Sequence, residues 1–255
     1  MTWRLPSGPS PAVRSGVGSL EELGEAAGDL GLRRVLVTSD PGIVAAGIAG
    51  QALESLRDAG IVAEPFSDFG ENPTESDAAR AADAARSMDA DALAGVGGGS
   101  SLDVAKGGAF LLAGGGRMED YRGYGKCPHP LPPLIGVPTT AGTGSEAQSY
   151  ALISRDGDHQ KLACGAPTAM FRAVILDPAL LPSAPRKVIA ATGFDAVAHA
   201  VETAVTSDRT DESLVLSHRA FAFLSRAFPR VVTGDADPAT WEAMQLGAFL
   251  AGAAI

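Results

Sequence analysis

After Leu20 the chain alternates short β-branched apolar runs with longer alanine-rich stretches. RRVLVTS (33–39) is a compact apolar run ended by Pro41-Gly42 and reads as a buried strand. Residues 43–59 have helical spacing, and Gly60 stands where such a helix would stop. IVAEPF (61–66) predicts the next strand. Asn72-Pro73-Thr74 opens an alanine-rich helix to about Met88, and DALAGVG (91–97) is a third strand. Strands alternating with helices through short connections predict a parallel sheet with right-handed crossovers. LPPLIGVPTT (131–140) is a fourth strand that runs into a polar loop, AGTGSE. YALIS (150–154) and HQKLACG (159–165) flank Asp156-Gly157 and predict a hairpin. AVILD (173–177) is one more buried strand, closed by Pro178 and Pro182.

After Pro185 the period changes. Residues 186–206, 211–228 and 238–253 all repeat their apolar positions at helical spacing. The predicted fold class is therefore α/β: a Rossmann-like parallel-sheet domain over residues 1–182, followed by an all-helical domain over 183–255. The first ten residues, rich in Pro and Ser, predict a loose lead-in. The last segment, GAFLAGAAI, is apolar and small-residue helix without a polar tail.

Composition narrows the function classes. A length of 255 residues, with 45% hydrophobic and 20% charged positions, is that of a globular enzyme with a real core. A formal net charge of -10 argues against nucleic acid or an anionic membrane as partner. No stretch reads as long and apolar enough to span a bilayer, and the N-terminus has no secretory pattern. Cys127 and Cys164 stand far apart without a CxxC spacing, which predicts reduced thiols and a cytoplasmic protein.

Three stretches carry candidate chemistry. GVGGGSSLDVAKGG (95–108) follows a strand and opens a helix, but it lacks both the Walker Gly-Lys-Ser/Thr and the sixth glycine of G-x-G-x-x-G. Its glycines still let backbone approach an anion at a helix N-terminus, and they equally suit a tight strand–helix turn. Ser100-x-x-Asp103 has capping-box spacing, which predicts a helix start at Ser100 or Ser101, with Asp103 capping and Lys106 on the surface. PTTAGTGSE (138–146) again follows a strand, so both loops fall at the sheet edge where ligands bind. Asp40, just after the first strand, suits a ribose diol or an Asp-Pro-Gly turn. Asp195 and His199, four apart in GFDAVAHAVE, share one helix face and suit either a divalent metal or an ion pair. His129, His159 and His218 form no cluster with them.

GVGGGSSLDVAK, PTTAGTGSE and GFDAVAHAVE, in that order, resemble the iron-containing (group III) alcohol dehydrogenase family, from residue 16 to the last. The first motif is shared with glycerol-type dehydrogenases and the dehydroquinate synthase-like fold. PTTAGTGSE is specific to the alcohol dehydrogenase branch and argues against those two alternatives. The resemblance implies NAD, rather than NADP, in a cleft between the two domains, and Fe2+ (with Zn2+ the alternative) as the metal. It implies that Gly98, Gly99 and Ser100 hold the pyrophosphate, and that Asp40 meets the adenosine ribose with Asn72 beside it. Thr139, Thr140 and Lys161 would line the cleft, with Tyr150 and Leu180 packing against it. Many relatives carry Thr where this chain has Gln148, so no contact is transferred there. Asp195 and His199 match the first two metal ligands. The family's two further histidines have no counterpart here, so the helical domain reads as incomplete, the N-terminal part of a longer dehydrogenase. The implied activity is oxidation of small alcohols and reduction of their aldehydes by hydride transfer, in a homo-oligomer, a dimer. A non-catalytic cofactor-binding fragment is the alternative.

Overall fold

The computed structural model describes Thr2–Trp3 and residues 10–255, so most of the expected lead-in lies outside the described residues. Strands β1 (Thr2–Trp3), β2 (Ala12–Ser15), β3 (Arg34–Thr38), β4 (Val62–Phe66) and β5 (Ala92–Gly97) alternate with helices α1 (Leu23–Asp29), α2 (Pro41–Ala45), α3 (Ile48–Asp58) and α4 (Glu75–Ser87). Helix α5 (Gly99–Gly114) and strands β6 (Gly123–Tyr124), β7 (Leu134–Pro138), β8 (Tyr150–Ser154), β9 (Lys161–Gly165) and β10 (Ala173–Leu176) follow. Three long helices complete the chain: α6 (Arg186–Val205), α7 (Asp211–Thr233) and α8 (Pro238–Ala253).

The main sheet runs β1-β2-β10-β7-β5-β3-β4. Its pairings are parallel except for β1 on β2. Side chains alternate across it as a strand's period of two requires. Val35, Val37, Ala94, Val96, Ile135, Val137 and Ile175 enter the core beneath α1 and α3. Leu36, Leu93, Leu134, Val174 and Leu176 face the opposite way, into the core shared with α4, α5 and the C-terminal helices. Helix α4 suits that second core because Ala78, Ala81, Ala82 and Ala85 form a small-residue stripe at helical spacing. Thr74 and Asp77 start it with a reciprocal capping box.

The expected hairpin is β8 on β9, antiparallel, with β6 added to the far edge. Several boundaries differ from expectation. The single helix expected over 43–59 is two helices, since Gly47 takes a left-handed φ of 79° between them. Helix α7 continues through Pro229 to Thr233, past the expected stop at 228. Val231 stays buried there, and Arg230 donates to Thr240 Oγ1 at 2.6 Å, so tertiary contacts carry the last turns. Helix α6 also corrects the reading that no stretch is apolar enough to cross a membrane: by length and composition it is. Its Gly193 nevertheless abuts Phe228 of α7 and Met244 of α8, the packing of a bundle helix.

Asp177, at the end of β10, ties the N-terminal turn to the sheet. Its carboxylate is buried and accepts from the backbone N–H groups of Gly18 (3.1 Å), Leu20 (3.1 Å) and Ala179 (3.0 Å). Asp177→Ala leaves these donors without their acceptor and is expected to destabilise the fold by about 3 kcal/mol. Urea unfolding should show a lower midpoint at an unchanged m-value.

Candidate active site

Strands β3 and β5 are neighbours, yet α3 follows on one face of the sheet and α5 on the other. Their C-terminal ends thus form a topological switch point, where an open α/β sheet leaves a crevice for ligands. Asp40 follows β3 and the glycine turn follows β5.

The turn is shaped for close approach. Gly97 has φ 150°, and a Cβ there would lie 2.3 Å from Ser101 Oγ. Gly98 is the N-cap of α5 and offers no side-chain cap, so the first-turn N–H groups of the helix are left for another acceptor. This corrects the expected capping box: α5 begins at Gly99, ahead of Ser100, and Asp103 takes no part in the cap. The missing cap is what an anion-binding turn needs, because a capping carboxylate would compete with the ligand.

Asp40 stands alongside. Its Oδ1 accepts from the N–H groups of Gly42 (2.9 Å) and Ile43 (3.2 Å), capping α2. Its Oδ2 lies 3.3 Å from Ser101 Oγ. Asp40 thus forms the expected turn and at the same time stands beside the glycine turn.

The loop after β7 closes over the turn. Thr139 N–H donates to Gly97 O at 2.9 Å, and Thr139 Oγ1 is buried with no protein partner among the described residues. A Cβ on Gly98 would lie 3.4 Å from Thr140 Cγ2, and one on Gly99 2.8 Å from Thr143 Cγ2. Free helix N–H groups, threonine hydroxyls and a gap with no room for side chains suit a dinucleotide pyrophosphate. Asp40, Gly98, Gly99, Ser100, Thr139 and Thr140 are thus brought together. Asn72, with a left-handed φ of 54°, and Lys161 form a second group, Lys161 Nζ donating to Asn72 Oδ1 at 3.1 Å. Tyr150 is partly exposed and its ring lies 5.4 Å from that of Tyr124. Leu180 is buried in the core beneath α1 and α3.

The same loop reaches the helical part. Gly142 abuts Thr192 of α6, one turn before Asp195. On that helix His199 Nε2 lies 3.7 Å from Asp195 Oδ1. This is shorter than the roughly 4.1 Å sum of a zinc–nitrogen and a zinc–oxygen bond, so one ion fits between them. No third His, Cys, Asp or Glu joins them among the described residues, so they fit half of a metal shell.

Sequence reasoning missed a buried charged cluster behind the loop. Lys106, expected on the surface, is fully buried, and Asp103 and Glu146 are buried beside it. The correction has a physical cause: α5 is enclosed on all sides by β5, α4, β8 and the loop, so no face of it reaches solvent near Lys106. Burial raises Asp103 to about 6 and Glu146 to about 7, against the pull of Lys106 on each. Burial lowers Lys106 to about 8, opposed by Asp103 and Glu146.

Comparison with known proteins places this arrangement. The chain is 30% identical over 244 residues to the NAD-dependent methanol dehydrogenase of Bacillus methanolicus, covering 96% of this chain and 64% of that protein. The solved structure of a 1,3-propanediol oxidoreductase superposes with a TM-score of 0.91 at 28% identity, covering all of this chain and 66% of that one. Sulfoacetaldehyde reductase from Bifidobacterium kashiwanohense, solved in complex with NAD+, gives 0.88 at 27% identity over 95% of this chain and 64% of that one. The chain therefore spans just under two thirds of the length of these relatives. The family model described as iron-containing alcohol dehydrogenase matches residues 10–178. With its glycine turn, its threonine loop and all the parallel strands of its main sheet within that match, the chain belongs to the iron-containing alcohol dehydrogenase family.

Proposed function

We propose that this chain binds NAD across the switch point and serves hydride transfer between that cofactor and small alcohols or their aldehydes. The observation that carries the reading is the uncapped glycine turn Gly97–Ser100, closed from above by Thr139 and Thr140. The turn and the α5 N-terminus hold the pyrophosphate, and Asp40 Oδ2 accepts from the adenosine ribose. A carboxylate there repels a 2′-phosphate, which favours NAD over NADP. Lys161 and Asn72 border the cleft on the side of the small sheet. Asp195 and His199 would hold a divalent ion, Fe2+ or Zn2+, as two members of its shell. When bound, that ion would supply Lewis acidity toward the substrate oxygen, and the nicotinamide would carry the hydride, accepting it from an alcohol or giving it to an aldehyde.

NADH and NADPH titrations by fluorescence, with metal analysis and an aldehyde-reduction assay on the same 255-residue preparation, test this reading. NADH is expected to bind more tightly than NADPH. Asp40→Asn keeps an oxygen to cap α2 but removes the charge, and it is expected to narrow the NADH-to-NADPH preference by tenfold or more. Equal affinity of the parent chain for the two nucleotides would count against the role of Asp40, and no binding of either would overturn the cofactor assignment. NADH binding without metal or turnover would favour the second reading, a cofactor-binding unit. That reading has its own support in the two-donor cluster on α6.

A further inference from the structure

Lys106 makes no hydrogen bond to the glycine turn or to Thr139 and Thr140, yet its side chain is wholly withdrawn from water. Burying an ammonium group is costly unless each of its three N–H groups finds an acceptor. Here each does. Nζ donates to Ser145 O at 2.7 Å, Gln148 O at 2.8 Å and Tyr150 O at 2.8 Å. Ser145 Oγ, 3.2 Å from Nζ, in turn donates to Asp103 Oδ1 at 2.9 Å. The ring of Phe171 lies 4.9 Å from Nζ.

The three carbonyls belong to residues 145–150, the far half of the loop whose near half closes the glycine turn. Lys106 sits seven residues along α5 from Gly99, about 10 Å from the turn by helical rise. One helix therefore carries both the anion cradle, at its N-terminus, and the post to which the opposite wall of the cleft is tied.

We propose that Lys106 is a positioning residue for cofactor binding: its ammonium fastens the 139–150 loop to α5 and so sets the gap between Gly98–Ser100 and Thr139–Thr140. The proposal rests on the NAD reading given above. A neutral amine keeps only two N–H groups, so deprotonation strips one of the three carbonyls of its donor and loosens the loop. Burial places that event near pH 8, opposed by Asp103 on α5 and Glu146 in the loop, the charged groups that act on Lys106. Lys161 on β9 acts on Asp103 in turn.

The test uses the 255-residue chain with Lys106→Arg and Lys106→Met, titrated with NADH from pH 7.5 to 9.5, with amide exchange followed over residues 143–150. The parent chain is expected to lose affinity several-fold as pH rises through about 8. K106R, whose guanidinium stays charged, is expected to show no such loss. K106M is expected to bind NADH at least tenfold more weakly at pH 7.5. Its loop amides should exchange faster while those of α5 do not change. Undiminished NADH binding by folded K106M would overturn the proposal, as would a pH-independent parent chain or a K106R that repeats the parent's pH dependence. Should thermal melting show K106M unfolded, the parent and K106R pH series decide alone. Absence of NADH binding by the parent chain at every pH is a separate outcome, which overturns the cofactor reading and the positioning role with it.

Discussion

Gly99→Val is expected to weaken NADH binding by at least a hundredfold, about 2.8 kcal/mol, without unfolding the chain. The reason is local. Gly99 opens α5, and a Cβ there would approach Thr143 Cγ2 to 2.8 Å and Oγ1 to 3.1 Å. The branched methyls of valine extend further, into the space where the helix N–H groups meet an anion. Either the threonine loop is pushed off the turn or the pyrophosphate is kept from the backbone, and both outcomes remove affinity. Gly99→Ala should show a smaller loss, since Thr143 can turn away from a single methyl. Parallel thermal melts separate this from a folding defect: a melting temperature shared with the parent chain and a hundredfold rise in Kd is the expected pair of results.

The second large effect concerns stability. Gly144 and Gly252 meet backbone to backbone: a Cβ on Gly252 would lie 2.5 Å from Gly144 Cα and 2.6 Å from its carbonyl oxygen. Backbone cannot swing aside as a flexible side chain can. Gly252→Val is therefore expected to destabilise the chain by about 3 kcal/mol or to prevent folding, at the upper end of what overpacking costs. The strain falls where α8 meets the threonine loop, so guanidinium unfolding should show the loss, with NADH affinity reduced in whatever fraction stays folded. Gly252→Ala should fall between the two. An unaltered midpoint for G252V would mean that the contact between loop and helix gives way more easily than its distances imply.

The small residues of GAFLAGAAI, which in sequence suggest only an apolar helix, acquire a purpose from these contacts. Gly247 gives room to Leu224 and Phe223 of α7, and Gly252 gives room to the loop. The sheet is legible in the sequence because its signal is local. β-branched runs such as RVLVT and AVIL, bounded by Pro and Gly, mark a strand buried on both faces whatever lies beside it. β2 left no such mark, since Ala12–Ser15 is four residues long with a buried arginine in it. Arg14 is tolerated there because Glu22, Glu25 and Asp29 pair with it, and those partners are visible only once α1 is folded against β2. The cradle was legible as glycines after a strand, but the side-chain cap assigned to Asp103 was not real. Spacing alone cannot distinguish a capping carboxylate from one turned inward. Lys106 was misplaced for the same reason. Lysine is rarely buried, and the acceptors that permit it come from backbone some forty residues away, where side-chain identity carries no signal.

The order of strands carries a consequence for synthesis on the ribosome. β2 is made ahead of β3, β4, β5 and β7, but its parallel partner, β10, spans Ala173–Leu176 and sits between β2 and β7. Until that segment emerges, Val13 has no strand to lie against except the two-residue β1, which cannot hold it alone. The β3–β4–β5–β7 block, by contrast, can assemble as its strands appear, each joining one already made. The strand order therefore lets four strands pair as they are made, while β2 can join the parallel sheet only after β10 is made. Asp177, next after β10, holds Gly18 and Leu20, so the turn after β2 likewise lacks its acceptor until that segment is made. β2 is thus made well before the strand that gives it a place in the sheet.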